Sequence, residues 1–346
     1  MTGRWRPARN WGARVHEVTA YGHPAVVLEN ELLRVTVLLT GGHVVEFNHK
    51  PRDRDHVWLA PDAVRPPAAG GAAADDMAAF LDSYPGGWQE VLPNGGAPAR
   101  HRGAALAQHA ELTGLPWDAE LLVDEPDEVA VRLSVAARRT PLHLSKVLRL
   151  RAGDPTLWVD EELTNAAPVP VEAMWGQHLA YGRPFLKPGH RITLPDGVQV
   201  HPHAEPINPP VRSVRAGGPY PWPVVPGPDG NQTDLSVVPS PGAPSEIVYL
   251  SGFGDTGWYE LRDPADGSGL RVSWDATVLP YLWLWHELGA TTGYPWWGRA
   301  YVVGLEPFSS HPTEGLARAV ANGTALTLAP HATLRLHWST GVICDG

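Results

Sequence analysis

Alternating apolar and polar residues recur along most of the chain and predict β-strands. Residues 129–136, with the sequence VAVRLSVA, alternate as a strand does when one of its faces is buried. Residues 142–150 and 157–163 continue the pattern, and turn-forming residues separate these two stretches. Their spacing is typical of an antiparallel sandwich. Further strands are predicted at 32–39, 43–48, 246–250, 257–262, 269–274, 301–305 and 333–338.

One stretch, residues 75–84, predicts a helix. Asp75 and Asp76 stand in its first turn, and a Pro-Gly-Gly sequence follows it. The 36 Gly and 36 Pro residues disfavour long helices, because Pro costs about 3 kcal/mol and Gly about 1 kcal/mol at an interior helix position. We therefore expect an all-β fold, a large antiparallel β-sandwich with few short helices.

The longest irregular region is predicted at residues 204–244, which are rich in Pro, Gly and Asn. Such a region is either a linker between two domains or a long loop within one domain. Strand patterns on both sides favour the loop. We expect residues 1–346 to form a single domain, with its core at approximately 25–340.

The charge and the cysteine content of the chain exclude some classes of partner and compartment. The formal net charge is −10 and no long run of Lys or Arg occurs, which disfavours nucleic acid as a partner. The single cysteine, Cys344, excludes an intrachain disulfide and fits a reducing compartment. Residues 1–17 lack the apolar stretch of a signal peptide, and no apolar run approaches the ~18 residues that span a bilayer. We expect a cytoplasmic protein without a membrane partner.

Motifs for metals and nucleotides give no positive indication. The sequence His201-Pro202-His203-Ala204-Glu205 suggests metal ligands, but its spacing and its proline favour an ordinary surface loop. A phosphate-binding GxGxxG after a strand and a GxSxG nucleophile motif are both missing from the sequence. We expect neither a metal nor another cofactor.

Three ordered segments carry a resemblance to a known family. Residues 31–47 predict a strand, a Gly-rich turn and a second strand. Residues 145–181 predict two strands that lead to a Thr-Asn pair, a Pro-containing turn and then His178 on a further strand. Near the C-terminus, the sequence YVVGLEPFSSHP places Glu306 within Leu-Glu-Pro at the end of a strand. In this order the segments resemble aldose 1-epimerases of the galactose mutarotase-like superfamily. Residues 87–117 and 281–300 are similar to an uncharacterised bacterial branch of it.

The resemblance implies a supersandwich fold and an isomerase that interconverts the α and β anomers of a free aldose or sugar derivative. His178 matches the family's general acid and Glu306 its general base. Acid–base catalysis works best with pKa values near the operating pH, so the glutamate pKa must be raised by burial or apolar neighbours. The alternatives are a core histidine and a strand-end carboxylate in a salt bridge.

Candidate sugar-binding residues follow from the same resemblance and from local composition. His109 matches a histidine that contacts sugar hydroxyls, although Ala110 stands where relatives have glycine. Asp255 is a looser match to a sugar-binding aspartate, and it also suits a plain turn. For the tryptophan pairs Trp283 with Trp285 and Trp296 with Trp297, the alternative to sugar binding is packing in the core. Trp88, Gln89, Glu90 and Asn94 are candidates that we expect in a loop bounded by Pro and Gly, and the remaining candidates are Glu111, Trp285, His286 and Trp297.

Two other functions remain open at this point, because a fold does not fix a function. One is a non-catalytic carbohydrate-binding or regulatory protein. The other is a lyase or a hydrolase, and hydrolysis needs two carboxylates ~5–10 Å apart, whereas Glu306 has no evident acidic partner in the sequence. In each case the expected partner is a small-molecule carbohydrate, and the protein is expected to be a monomer or a homodimer.

Overall fold

The computed structural model describes residues 9–61, 64, 75–208 and 210–344, so the first eight residues of the segment considered for a signal peptide lie outside it. The helices are α1, Asp76–Leu81, and α2, Leu316–Ala321. The strands, in chain order, are β1 Arg14–Ala20, β2 His23–Glu29, β3 Leu33–Leu38, β4 Val44–His49, β5 Arg54–Asp55, β6 Trp88–Val91, β7 Ala99–His101, β8 Ala104–Leu106, β9 Asp118–Asp124, β10 Glu128–Ala136, β11 Leu142–Arg151, β12 Thr156–Asn165, β13 Val171–Ala173, β14 Gly176–Gly182, β15 Arg191–Thr193, β16 Gln199–Pro202, β17 Tyr220–Pro221, β18 Val224–Pro226, β19 Gln232–Asp234, β20 Glu246–Ser251, β21 Thr256–Arg262, β22 Gly269–Asp275, β23 Tyr281–Glu287, β24 Val302–Phe308, β25 Leu326–Leu328 and β26 Thr333–Ile343.

Two large antiparallel sheets dominate the described part of the chain. The first sheet has twelve strands in the order β1-β2-β3-β4-β6-β14-β24-β23-β20-β16-β17, with β5 paired to β4. The second sheet has eight strands in the order β15-β21-β22-β26-β12-β11-β10-β9. Two-stranded ribbons are formed by β13 with β25, β18 with β19, and β7 with β8. The predicted all-β sandwich is confirmed.

The sandwich forms because each sheet buries one face of its alternating strands against the other. On β10, Val131 and Leu133 are fully buried while Arg132 between them is not. They belong to one hydrophobic cluster that also contains Leu179 of β14 and Leu284 of β23. Burying such a side chain contributes about 1.5–3 kcal/mol. The period of two in the sequence therefore decides which face of each sheet lies in the core.

The ten predicted strands are confirmed, with some of their ends shifted. The last one, β26, continues to Ile343, well beyond the predicted end at residue 338. Helix α1 is shorter than the predicted 75–84, and Asp75 caps it by accepting hydrogen bonds from the backbone of Met77 and Ala78. In the described part of the irregular stretch 204–244, the only strands are the short β17, β18 and β19.

Several elements were not predicted. Strands β1 and β2 form one edge of the first sheet, and α2 lies near the C-terminus. Residues 88–91 were expected to lie in a loop, which is wrong, because they form β6 in the middle of the first sheet. Since β6 is buried on both faces, its polar residues do not mark an exposed loop.

The face of the first sheet that is turned away from the second sheet is also covered. On one side, Phe80 of α1 packs with Ala180 and Val302 of the sheet. On the other side, Leu316 of α2 packs with Phe308. We call this face the outer face. Within the described residues, neither helix has the length and apolarity that crossing a membrane requires.

Candidate active site

Six polar and aromatic residues form a row across the middle strands of the outer face. Gln89 of β6 pairs with His178 of β14, and Glu306 of β24 pairs with Trp283 of β23. The register of β14 and β24 sets His178 opposite Glu306. Residues directly opposite each other in a sheet point to the same face. The cross-strand row, in spatial order, is Gln89, His178, Glu306, Trp283, Tyr249 and His201.

His178 and Glu306 form a close buried pair at the centre of this row. Nε2 of His178 lies 3.6 Å from Oε1 of Glu306, and only 5% and 2% of the two residues are exposed. Burial lowers the pKa of His178 to about 4 and raises the pKa of Glu306 well above its usual value. At a pH between these two pKa values the pair holds one proton, which lies on Glu306. If this proton moves to His178, the two side chains become oppositely charged while the pair still holds one proton.

Aromatic rings surround this pair. The ring centroids of Tyr84 and Trp285 lie 5.5 Å and 6.1 Å from that of His178. Trp296 packs against both, with centroid distances of 6.2 Å to Tyr84 and 6.0 Å to Trp285. Such an apolar enclosure strengthens electrostatic interactions inside it. It is also the reason why both pKa values depart from their usual range.

His109 joins the pair from the loop before β9. Its ring centroid lies 5.3 Å from that of His178, and its backbone adopts the left-handed conformation with φ of 47°. Nδ1 accepts a hydrogen bond from the backbone N–H of Gly96 at 3.2 Å, so the neutral ring carries its proton on Nε2. Burial and the neighbouring His178 hold the pKa of His109 well below its usual value. The structure therefore brings His109, His178 and Glu306 together.

Three of the predicted sugar-binding residues do not point to the outer face. Trp88 packs its ring 5.0 Å from that of Phe47 in the core between the sheets. Glu90 lies on the same inner face, since it is two residues further along β6. His286 alternates with Trp285 on β23, and its Nε2 lies 2.9 Å from the carbonyl oxygen of Pro244. We correct the expectation for these three, because strand alternation turns them away from the pair.

The side chain of Asn94 is hydrogen-bonded to the backbone of neighbouring loops and of α2. Its amide donates to the carbonyl oxygens of Ala97 and Ala107, and its side-chain oxygen accepts from the backbone N–H of Leu316 at 2.7 Å. The side chain is fully buried. Asn94 therefore holds the loop after β6 against the start of α2, and it has no free group for a sugar.

Glu111 is held in a similar way. Its carboxylate accepts hydrogen bonds from the backbone N–H groups of Arg138 and Arg139, both at 3.0 Å. It lies beside a cleft on the outer face but is not in contact with the pair. Its carboxylate is therefore already occupied by the backbone N–H groups of the turn after β10.

Trp297 and Asp255 lie at the surface. Trp297 is 62% exposed, whereas its neighbour Trp296 packs inward against Tyr84. Of these two tryptophans, Trp296 therefore lies at the candidate site and Trp297 does not. Asp255 is exposed in the turn before β21. Because β21 belongs to the second sheet, Asp255 does not lie on the strands that carry the pair.

Tyr84 is a site residue that sequence reasoning missed. It stands at the end of the predicted helix, where it was read only as part of a helix terminus. Its hydroxyl is buried and has no hydrogen-bond partner among the described residues. Burial and the nearby Glu306 raise its pKa well above the usual value. The burial of this hydroxyl near Glu306 was not visible in the sequence.

Metal binding finds no support in the part of the chain that the structure describes. No group of three or more His, Cys, Asp or Glu residues in it is arranged to hold a metal ion. His203, from the sequence that suggested metal ligands, is instead hydrogen-bonded through Nδ1 to the hydroxyl of Tyr249 at 2.8 Å.

Similar folds are found among solved structures. No known family profile matches the sequence, and no curated protein matches it. A proposed aldose 1-epimerase from Klebsiella pneumoniae is 17% identical, with a TM-score of 0.74 over 95% of this chain and 82% of that one. A galactose mutarotase-like protein from Clostridium acetobutylicum is 11% identical, with a TM-score of 0.66 over 96% of this chain and 99% of that one. The chain thus has the galactose mutarotase-like fold that its sequence predicted.

Proposed function

We propose that this protein is an aldose 1-epimerase, which interconverts the α and β anomers of a reducing sugar, with Glu306 as general base and His178 as general acid. The observation that carries the proposal is the position of the two side chains opposite each other, 3.6 Å apart, on the outer face. The solved structures of similar fold include proteins named for this activity, which supports it.

The chemistry explains why acid and base must be neighbours. Anomer exchange begins when a base removes the proton of the anomeric hydroxyl while an acid protonates the ring oxygen. The bond between the anomeric carbon and the ring oxygen then breaks, which leaves an open-chain aldehyde. Both oxygens are bonded to the same carbon, so the two catalytic groups must act side by side. The aldehyde rotates about its bond to the next carbon, and the ring closes on its other face with the proton transfers reversed.

The pKa directions place the single proton of the free pair on Glu306, so turnover proceeds through the less populated form in which that proton lies on His178. In that form a base of raised pKa removes a hydroxyl proton more readily, and an acid of lowered pKa gives its proton up more readily. Burial supplies both shifts. In this proposal His109 binds a sugar hydroxyl through its Nε2–H, and Trp285 and Trp296 offer ring faces to the apolar C–H surface of the sugar.

The test is acceleration of anomer exchange in freshly dissolved α-glucose and α-galactose, followed by polarimetry or NMR. We expect the wild-type protein to accelerate it and Glu306→Gln to abolish turnover while sugar binding is retained. The matched control is Glu260→Gln, which alters a carboxylate on β21 that pairs with Arg262 at the surface.

The other functions have their own signatures. Sugar binding without acceleration across a panel of aldoses would favour a non-catalytic carbohydrate-binding protein. A new reducing end in the product would favour a hydrolase. Unchanged turnover in the Glu306→Gln protein would remove Glu306 from the mechanism.

A further inference from the structure

A cleft lies on the outer face beside the proposed catalytic pair, and the mechanism proposed for the pair gives this cleft no role. Its volume is about 290 Å³, at the lower end of the range of small-molecule sites. Neither His178 nor Glu306 lines it. The residues that line the cleft include His43, Phe80, Tyr84, Gln89, Gln108 and Glu111.

Three side-chain oxygen atoms in the wall of this cleft are buried without a hydrogen-bond partner among the described residues, and so is Nε2 of His43. The three oxygen atoms are the hydroxyl of Tyr84 and the side-chain oxygens of Gln89 and Gln108. Tyr84 and Gln89 are only 3% and 2% exposed. Buried polar groups are nearly always paired in folded proteins, because an unpaired one is destabilising. Four of them around a single cleft indicate a ligand that would satisfy them.

The chemistry of the wall selects hydroxyl groups. The two amide oxygens accept hydrogen bonds, and the Tyr84 hydroxyl accepts or donates one. Burial, with Lys146 nearby, lowers the pKa of His43 to about 3, so this imidazole is neutral at pH 7. The carboxylate of Glu111 adds a negative charge. Together these groups suit an uncharged ligand that carries O–H donors, and they disfavour an anion.

Two arginines at the cleft do not reverse this preference. Arg138 and Arg139 also line it, but both side chains are exposed to water, where salt screens their charge. The guanidinium of Arg139 already donates to the carbonyl oxygen of Ala105 at 2.7 Å. The neutral acceptors therefore decide which ligand the deep part of the cleft prefers.

Two rings that line the cleft also contact histidines at the proposed catalytic pair. The Phe80 ring lies 4.8 Å from the His109 ring, and the Tyr84 ring lies 5.5 Å from the His178 ring. Both rings line the cleft with their other sides. Gln89 in the cleft wall is the direct cross-strand neighbour of His178, and neighbouring strands are about 4.8 Å apart. The two places are therefore adjacent on one face.

We propose that the cleft is a second sugar subsite, which holds an uncharged glycosyl unit joined to the sugar whose anomeric carbon lies at the pair. The substrate would then be a reducing disaccharide or a longer reducing sugar. This inference rests on the proposed epimerase function. A ligand that fills both places must displace the Tyr84 ring, which stands between the cleft and His178. The amide oxygens of Gln89 and Gln108 accept hydroxyl protons of the second unit, and Phe80 packs against its C–H face.

The experiment compares kcat/KM for anomer exchange, by NMR, on glucose and galactose with that on maltose, cellobiose and lactose. We expect at least one disaccharide to exceed both monosaccharides by about tenfold or more. Gln108→Leu removes one acceptor of the subsite and should lower kcat/KM for that disaccharide about 3- to 10-fold, the value of one hydrogen bond, while monosaccharide turnover stays unchanged. The matched control is Gln232→Leu on the exposed strand β19, which should alter neither.

The outcomes separate this inference from the proposed function. Equal kcat/KM values for mono- and disaccharides, unaffected by Gln108→Leu, would overturn the subsite and leave the epimerase standing. Stronger turnover of a sugar phosphate than of any uncharged disaccharide would overturn the uncharged class of ligand. If no sugar is turned over, the proposed function fails. The subsite is then tested by ligand-observed NMR, in which cellobiose should bind more tightly than glucose and Gln108→Leu should abolish the difference. Equal binding of the two sugars would overturn the subsite as well.

Discussion

The carboxylate of Glu306 lies in the space that a side chain at Gly304 would occupy. A Cβ built on Gly304 would lie 2.2 Å from Oε1 of Glu306 and 3.2 Å from the ring of Trp285. The two residues are two positions apart on β24, and side chains with that spacing share a face of a strand. Glu306 therefore bends back along its own strand over a bare backbone. The missing side chain at residue 304 sets where the carboxylate of Glu306, the proposed base, lies.

We predict that Gly304→Ala lowers kcat/KM for anomer exchange about 10²-fold, because a displacement of about 1 Å at a catalytic group has effects of this size. The extra methyl group should also destabilise the fold by about 1–3 kcal/mol, measured by chemical denaturation. The control is Gly293→Ala, where a built Cβ meets nothing within 4 Å. Wild-type kcat/KM in folded Gly304→Ala protein would show that the position of the carboxylate does not matter.

The pH dependence of catalysis follows from the single proton that the pair holds. As the pH falls through about 4, the pair gains a second proton, so the form with a protonated His178 and an ionised Glu306 is no longer available and the base is lost. As the pH rises through the raised pKa of Glu306, the pair loses its only proton and the acid is lost. We predict a bell-shaped profile of kcat/KM with a plateau between these limits, after subtraction of the buffer-catalysed rate. An acid limb centred near pH 6.5 would contradict the desolvation of His178.

The unpartnered hydroxyl of Tyr84 leads to opposite effects on stability and activity. Tyr84→Phe removes a buried, unsatisfied group, so the free energy of unfolding should stay the same or rise. If the hydroxyl binds sugar, kcat/KM should fall about 3- to 10-fold. Tyr301→Phe is the control, since the Tyr301 hydroxyl donates to the carbonyl oxygen of Pro239 at 3.0 Å. That change should lower stability by about 0.5–1.5 kcal/mol and leave turnover unchanged. Unaltered kcat/KM in Tyr84→Phe would exclude the hydroxyl from sugar binding.

The strands were predictable from the sequence because their burial has a period of two. In β10, the alternation of Val131, Arg132 and Leu133 in the sequence matches the alternation in burial. Strand β6 was not predictable, since all four of its residues are buried, and Gln89 and Glu90 look like the polar residues of a loop. Their burial depends on partners from distant strands, which no local pattern contains.

The candidate site was predictable only in part, for a similar reason. Glu306 and His178 were found because their segments resemble a family, and the structure places them side by side. Whether a nearby residue shares their surface depends on which face of a strand it occupies and on how its loop folds. Trp285 points to the outer face and His286 to the inner one, and a register error of one residue would exchange them. Tyr84 reaches the site through α1, which packs over the sheet by tertiary contacts alone.

The core between the sheets contains a buried cluster of one lysine and two glutamates. Lys146 of β11 lies 3.6 Å from Oε2 of Glu90, and its Nζ donates to the carbonyl oxygen of Gly42 at 3.0 Å. Glu161 of β12 is buried beside Glu90, and Gln177 donates to both carboxyl groups. Burial raises the pKa of Glu90, and burial together with Glu90 raises that of Glu161 well above its usual value. Lys146 opposes both shifts, so it is the group that lets carboxylate charge persist there.

We predict that Lys146→Met lowers the free energy of unfolding at pH 7 by about 3–5 kcal/mol, because it leaves buried carboxyl groups without their cation. Carboxyl groups with a raised pKa in the folded state favour that state when protonated, so the deficit should shrink as the pH falls from 7 towards 5. The control is Lys187→Met, which removes a 58% exposed ammonium that lies 3.6 Å from Asp263 and should change stability by about 0–1 kcal/mol.

A double-mutant cycle with Glu161→Gln tests the electrostatic cause of this effect. If the loss in Lys146→Met comes from uncompensated carboxyl charge, it should be smaller by about 1 kcal/mol or more when Glu161 is already glutamine. Urea denaturation of the four proteins measures the coupling. Additive losses, independent of pH, would show that Lys146 stabilises the core through its contact with Trp117, whose ring centroid lies 4.8 Å from Nζ. The coupling therefore separates a charge that the two carboxyl groups require from a side chain that only fills space between the sheets.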